Sequence, residues 1–280
     1  MRMVDTHLHT VDLTALRYPW LDNFAPLRRD YSLETYQAEA LRCGVTDALH
    51  MEVDVHPDQI ESETEYVEGI SSRPGSLIRG CISACRPEEA SFAASIEKAS
   101  AGRFVRGFRR VLHTQPDELS KGALFRANIN RLAGAGLPFD LCVAARQLKN
   151  AIALADACPH VQFVLDHCGI PAVKDQAFEP WRADMAALAK RPNVAVKISG
   201  ICAYANADWT LADLRPFVEW PIECFGWDRV VWGSDWPVCT LNGSLSTWVA
   251  ATQALTAGCS RNEVQRFLAG NAQRIWRLEP

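Results

Sequence analysis

Val4-Asp5-Thr6-His7-Leu8-His9 is a short run that ends in two histidines one residue apart. In an extended strand, side chains at i and i+2 share a face, so both imidazoles point to the same side. Two neutral imidazoles converging at a strand end can hold one divalent metal or one substrate oxygen. Far downstream, Val230-Val231-Trp232-Gly233-Ser234-Asp235-Trp236-Pro237 is a second apolar run, and it ends in a carboxylate. A His-x-His pair alone is a common accident of composition. It becomes chemistry only if the fold brings the first strand end and the late aspartate together.

The elements between them have the period that would do this. Strand candidates begin near Val4, Val45, Leu77, Val105, Pro138, Val161, Val194 and Val230. They lie about 32 residues apart, the length of one β–α unit with its loops. Helix-like segments fill the gaps at 32–43, 61–71, 87–101, 125–135, 144–158, 181–190 and 211–225. Gly44, Gly102 and Gly136 follow three of them, where a left-handed residue commonly closes a helix. A last helix opens on the capping-box pattern Ser260-Arg261-Asn262-Glu263 and runs to about residue 278. This alternation predicts one α/β domain over 1–280, a (β/α)8 TIM barrel with a long loop after strand 1 and a C-terminal helix. An open doubly wound sheet would carry a glycine-rich nucleotide loop where this chain has His7-Leu8-His9-Thr10.

In such a barrel, catalytic groups sit at the carboxyl ends of several strands. Those ends read His7 and His9, His50 and Glu52, Cys85 and Arg86, Arg109 and Arg110, Asp140, Asp166 and His167, Lys197 and Ser199, and Ser234 and Asp235. The amino ends are mostly apolar. The asymmetry favours a shared site on His7, His9, His167 and Asp235 over four unrelated structural roles. Each residue also has a plainer reading. His167 can bond a neighbouring carbonyl, Asp235 can cap a loop, and one of Arg109 and Arg110 reads as a rim ion pair. Lys197 and Asp140 read either as a pair inside the barrel or as a substrate contact. His50, His56, His113 and His160 default to supporting, loop or surface positions.

Composition bounds the function classes. Apolar residues make up 48% of the 280, ample for a large core, and 29 basic against 33 acidic residues leave the charge nearly balanced. No basic block suggests nucleic-acid or membrane-surface binding. The ten cysteines are scattered without a Cys-x-x-Cys, which reads as reduced core residues. No apolar segment precedes the first strand, and no run spans a bilayer, so a cytoplasmic location is expected. A monomer or a homodimer is left open.

At this point the residues resemble the amidohydrolase superfamily, amidohydrolase-2 type, and within it the sugar-acid lactonase branch of fuconolactonase and related muconolactone and pyrone-dicarboxylate lactonases. The resemblance is carried by Tyr18-Pro19-Trp20, Gly107-Phe108-Arg109, Phe163 through Gly169, Lys197-Ile198-Ser199-Gly200, Gly233 through Cys239 and Asn271-Ala272. It implies water attack on a lactone, with Asp235 as the general base that later returns the proton to the leaving oxygen. It implies His7, His9, His167 and Asp235 around at most one divalent metal, zinc the first choice; with no metal required, the histidines would polarise the carbonyl. Arg109 would grip a carboxylate or ring oxygens. Trp20, Trp236 and Tyr204 would wall the pocket, Lys197 would add a substrate contact, and Arg28 and Arg29 would reach in from the first loop. Two features depart from dinuclear relatives. Arg109 and Arg110 stand where a bridging Lys or Glu would be, and 138–143 contains no histidine, so a two-metal centre is not expected. The competing readings are a metal-dependent decarboxylase or amide hydrolase of the same superfamily, and a non-catalytic barrel that binds sugar acids or serves as an assembly subunit.

Overall fold

Eight short strands pair in parallel in the order in which they occur, β1 (Val4–Leu8), β2 (Asp47–Met51), β3 (Ile78–Ala84), β4 (Val105–Val111), β5 (Phe139–Cys142), β6 (Phe163–Leu165), β7 (Val194–Ser199) and β8 (Val230–Gly233). The structure is a computed structural model that describes residues 1–279. Helices α1 (Leu33–Ala40), α2 (Ile60–Ser71), α3 (Phe92–Ala101), α4 (Ala123–Ala135), α5 (Leu148–Ala157), α6 (Trp181–Ala189), α7 (Leu211–Phe225) and α8 (Leu245–Leu255) alternate with the strands. The expected (β/α)8 barrel is therefore present, with strand starts within two residues of the sequence reading. Gly44 and Gly136 are left-handed (φ 83° and 63°), whereas Gly102 is extended at φ −89° and ends α3 without such a turn.

The last helix is broken where the sequence suggested continuity. It runs as α9 (Arg261–Gln265), a π turn over Arg266–Gly270, and α10 (Asn271–Trp276), opening on the expected Ser260/Glu263 capping box. Its apolar face, from Ala269 to Leu278, plugs the barrel floor against Val4, Leu49, Met51, Ile82, Val164, Ala195 and Val231. Asn271 Nδ2 donates to the carbonyls of Trp227 and Val230, both at 2.8 Å, and pins that plug beneath β8.

The strand period then stacks chemistry above the plug. Residues two apart on a strand share a face. Val164 at the floor is followed by Asp166, and Ala195 by Lys197 and then Ser199. An apolar layer thus carries an ionic layer, and the ionic layer carries the residues of the site.

Closure between β1 and β8 relies on side chains as much as on backbone. Thr6 Oγ1 donates to Trp232 O (2.6 Å), and Asp5 accepts from the amides of His7 (3.0 Å) and Ser234 (2.8 Å) and from Tyr36 Oη (2.7 Å). Two backbone bonds complete the seam, Asp235 N to His7 O at 2.9 Å and His9 N to Trp236 O at 2.8 Å. Among the described residues, no helix is long and apolar enough to cross a membrane.

Candidate active site

A cavity of about 380 Å3 opens at the carboxyl end of the barrel. Residues in the carboxyl-terminal ends of β4 and β5 and in the segments following β1, β2, β4, β6, β7 and β8 line it, and its polar groups include His9, Arg109, His167 and Asp235. Asp235 Oδ1 lies 3.4 Å from His9 Nε2 and 3.7 Å from His7 Nε2, and Asp235 Oδ2 lies 3.6 Å from His167 Nδ1. His7, His9 and Asp235 offer ligand atoms within 4.8 Å of one another, as do His7, Asp166 and His167. The predicted four residues therefore come together, and with Asp166 as a fifth they form two triplets that share His7.

Hydrogen-bond partners sort their roles. His9 Nδ1 donates to Met51 O at 2.9 Å, so in the neutral ring Nε2 is a lone pair. Burial pulls His9 down to about 4, so the ring is neutral at ordinary pH. Burial pushes the Asp235 carboxyl up to about 6, although His167 and Arg109 pull the other way. Above that pH, two acceptors face each other across 3.4 Å with no proton between them. Asp235 Oδ2 also has no hydrogen-bond partner among the described residues. Such a pair calls for a donor or a cation, and the His7, His9 and Asp235 atoms suit a divalent ion.

Backbone strain marks the same residues. Asp235 has φ 57°, and His167 (52°), Cys168 (53°), Gly169 (73°) and Ile170 (50°) form a left-handed run after β6. For residues other than glycine this costs about 1–3 kcal/mol each and is retained mainly where a site requires it.

Three predicted residues lie elsewhere than expected. His7 is fully buried and does not face the cavity; it is packed between His9, His167, Arg109 and Lys197. Lys197 is likewise fully buried, 2.5 Å from Asp140 and 3.0 Å from Asp166, and so is a pair inside the barrel rather than a substrate contact. Trp236 points into the core between Tyr31 and Tyr36, 5.4 Å from each ring, and is not a pocket wall. Apolar strand packing claims Trp236 because Asp235 takes the cavity side. Trp20 and Tyr204 do line the cavity, whereas Arg28 pairs with Asp22 in solvent. Arg109 faces the cavity with its fork already closed, since Nε and Nη2 donate to Oε1 and the carbonyl of Glu52, both at 2.6 Å. Arg110 is the plain ion pair, bound to Glu88 at 2.7 Å.

Comparison with known proteins gives the family. The amidohydrolase family profile matches residues 4–278. The chain belongs to the amidohydrolase family. It is 29% identical to an uncharacterized protein of Sinorhizobium fredii over 99% of this chain and 98% of that one. It is 26% identical to an L-fucono-1,5-lactonase of Burkholderia ambifaria, over 99% and 96% of the two chains. A crystal structure of a Burkholderia multivorans amidohydrolase with bound zinc superposes with a TM-score of 0.90 at 24% identity, covering all of both chains.

Several residues of this amidohydrolase matter more than their sequence context announced. Asp166 lies within 3.0 Å of Lys197, 3.5 Å of His7 and 3.5 Å of Arg109. Burial opposes its charge, but Lys197 and His7 outweigh it and hold the carboxyl well below the usual range. Ser199 Oγ sits 2.9 Å from His167 Nδ1 and fixes that ring. Asp5 seals the seam, and Glu52 orients Arg109. Their only signal was position, as polar residues inside apolar strand runs.

The two motif glycines have steric reasons. A Cβ on Gly233 would fall 2.8 Å from His7 Cβ, and one on Gly200, itself at φ 58°, would fall 2.5 Å from Asp235 Cβ and 2.6 Å from Oδ2. Gly200→Ala is therefore expected to displace the carboxylate. A misplacement near 1 Å costs about 10²-fold in turnover. Steady-state kinetics beside circular dichroism would check this, with kcat falling while the barrel signal stays.

Proposed function

We propose that this amidohydrolase is a lactonase, opening a cyclic ester by attack of water, with Asp235 as general base. The observation that carries the reading is the facing pair of Asp235 Oδ1 and His9 Nε2 at the cavity floor. A water placed there donates one proton to each acceptor and presents its oxygen to a carbonyl above. Asp235 takes the proton as the C–O bond forms and returns it to the departing alkoxide. His167, which faces the same floor, and the Arg109 cation beside it are placed to stabilise charge on the carbonyl oxygen. His7 acts from below, since its Nε2 lies 3.3 Å from Arg109 Nη1 and its Nδ1 3.3 Å from Lys197 Nζ. The name of the Burkholderia ambifaria relative supports a lactone substrate, with sugar-acid lactones as the class to assay first.

His7, His9 and Asp235, with His167 beside them, would hold one divalent ion, zinc the first choice, and the zinc-bound neighbour supports that metal. Such an ion would supply Lewis-acid polarisation and a more acidic bound water. The residues above form a complete acid–base set on their own, because a lactone has a better leaving group than an amide.

Purified protein, assayed on lactones with and without chelator alongside its metal content, tests the reading. Opening of a lactone is expected. In chelator-treated protein, kcat/KM should rise with pH through about 6 and then level, because the ionised form of Asp235 is the active one. Chelator-sensitive turnover of an amide or an aromatic acid, with no lactone opened, would instead favour the amide hydrolase or decarboxylase alternative.

A further inference from the structure

The cavity above Asp235 is walled by hydrocarbon. Val11, Leu21 and Leu27 from the loop after β1, Val53 after β2, Ile170 after β6 and Val238 after β8 form its sides. Trp20 spends its only donor on Val53 O at 2.8 Å, which leaves an indole ring for the cavity. Besides the floor, the polar lining groups are Asp54, Thr114, Tyr204 and His113, whose Nδ1 lies 3.3 Å from Cys142 Sγ. Asp54 lies near Arg86, at 3.8 Å.

The charge balance is as selective as the walls. Arg109 is the one Lys or Arg among the described cavity-lining residues. Its charge is matched by Glu52 at 2.6 Å and Asp166 at 3.5 Å. Above the floor a carboxylated ligand would meet Asp54 and, among the described lining residues, no Lys or Arg besides Arg109. A ring bearing several hydroxyls would place some of them against Val, Leu and Ile side chains, where a hydroxyl without a partner costs about tenfold or more in binding.

Resting on the lactonase reading, we propose that the substrate is a neutral lactone with a short alkyl substituent, its ester group on the Asp235 floor and its alkyl chain against the hydrocarbon wall. This differs from the polyhydroxylated class suggested by the relative's name. In the cavity, each methylene removed from water contributes about fourfold to binding.

The test is kcat/KM of the purified protein for δ-valerolactone and its 5-methyl, 5-ethyl, 5-propyl and 5-butyl derivatives, beside L-fucono-1,5-lactone and 2-pyrone-4,6-dicarboxylate. The alkyl series should climb about fourfold per carbon until the cavity is full, with the hydroxylated and dianionic compounds about 100-fold or more below its best member. Leu27→Lys, which adds a cation to the wall, should flatten the alkyl series and raise turnover of the dianion. A flat or falling alkyl series with efficient opening of the sugar lactone would overturn the proposed class and leave the lactonase reading intact. Failure to open any of these lactones would overturn both.

Discussion

Asp235→Asn is expected to leave the barrel folded and to lower kcat by about 10²–10⁴-fold, the range for loss of a positioned general base. The fold should survive because the strained position suits the new residue. Asp235 sits at φ 57°, and Asn tolerates the left-handed region nearly as well as Asp. Its amide bond to His7 O at 2.9 Å involves only backbone. What is lost is an acceptor able to take a proton from water. A stable product analogue should therefore bind with little change, while the acid limb near pH 6 disappears from whatever activity remains. Kinetics and analogue titration on the same preparation would check both halves, and near-normal kcat would remove Asp235 from the base role.

Lys197→Met is the second large effect, and it should fall on stability. Lys197 Nζ is fully buried and stands between Asp140 and Asp166. Burial works against its charge, but the two carboxylates more than offset this and hold its pKa above the ordinary lysine value. Removing one partner of such a group strands buried charge, at a cost of about 3–5 kcal/mol. The sign with pH follows from Asp140, which burial already pushes up to about 7 against the pull of Lys197. A carboxyl whose folded pKa is raised binds more protons folded than unfolded, so its contribution to stability falls as pH rises above the ordinary value of 3.8. Without the lysine the raise grows, and the variant should lose more at pH 8 than at pH 5. Adding Asp140→Asn should restore part of the loss. Urea denaturation of the single and double variants at both pH values would check this, and a loss under 1 kcal/mol would mean the layer has no such role.

The barrel and the floor of its site were legible because they follow rules of period. Strand spacing placed the elements, and the carboxyl-end rule collected His9, His167, Arg109 and Asp235 on one mouth. The misses came from depth, which a linear reading does not carry. His7, Lys197 and Trp236 lie at or next to strand ends as expected, but the cavity stops above the first two and beside the third. Glu52, just after β2, closes the Arg109 fork from two strands away, across β3, and no spacing rule reports a contact between them. Helix α8 was overlooked because Ser, Thr and Val dilute its helical propensity. Its buried Leu245, Trp248, Val249, Thr252 and Leu255 nevertheless keep helical spacing, and Ser244 caps it by accepting from Thr247 N at 3.0 Å.

The β1–β8 seam also determines when this protein can first work. The histidines belong to the first strand and the carboxylate to the last, so nothing short of the closed ring contains the reactive pair. Every earlier arrangement of the chain, however helical and however compact, is chemically silent. Because Asp5 and Thr6 complete the join with side chains, a defect there would delay or loosen the ring without touching a reactive atom. Recovery of turnover during refolding therefore timestamps ring closure itself, a step that bulk secondary-structure signals pass over.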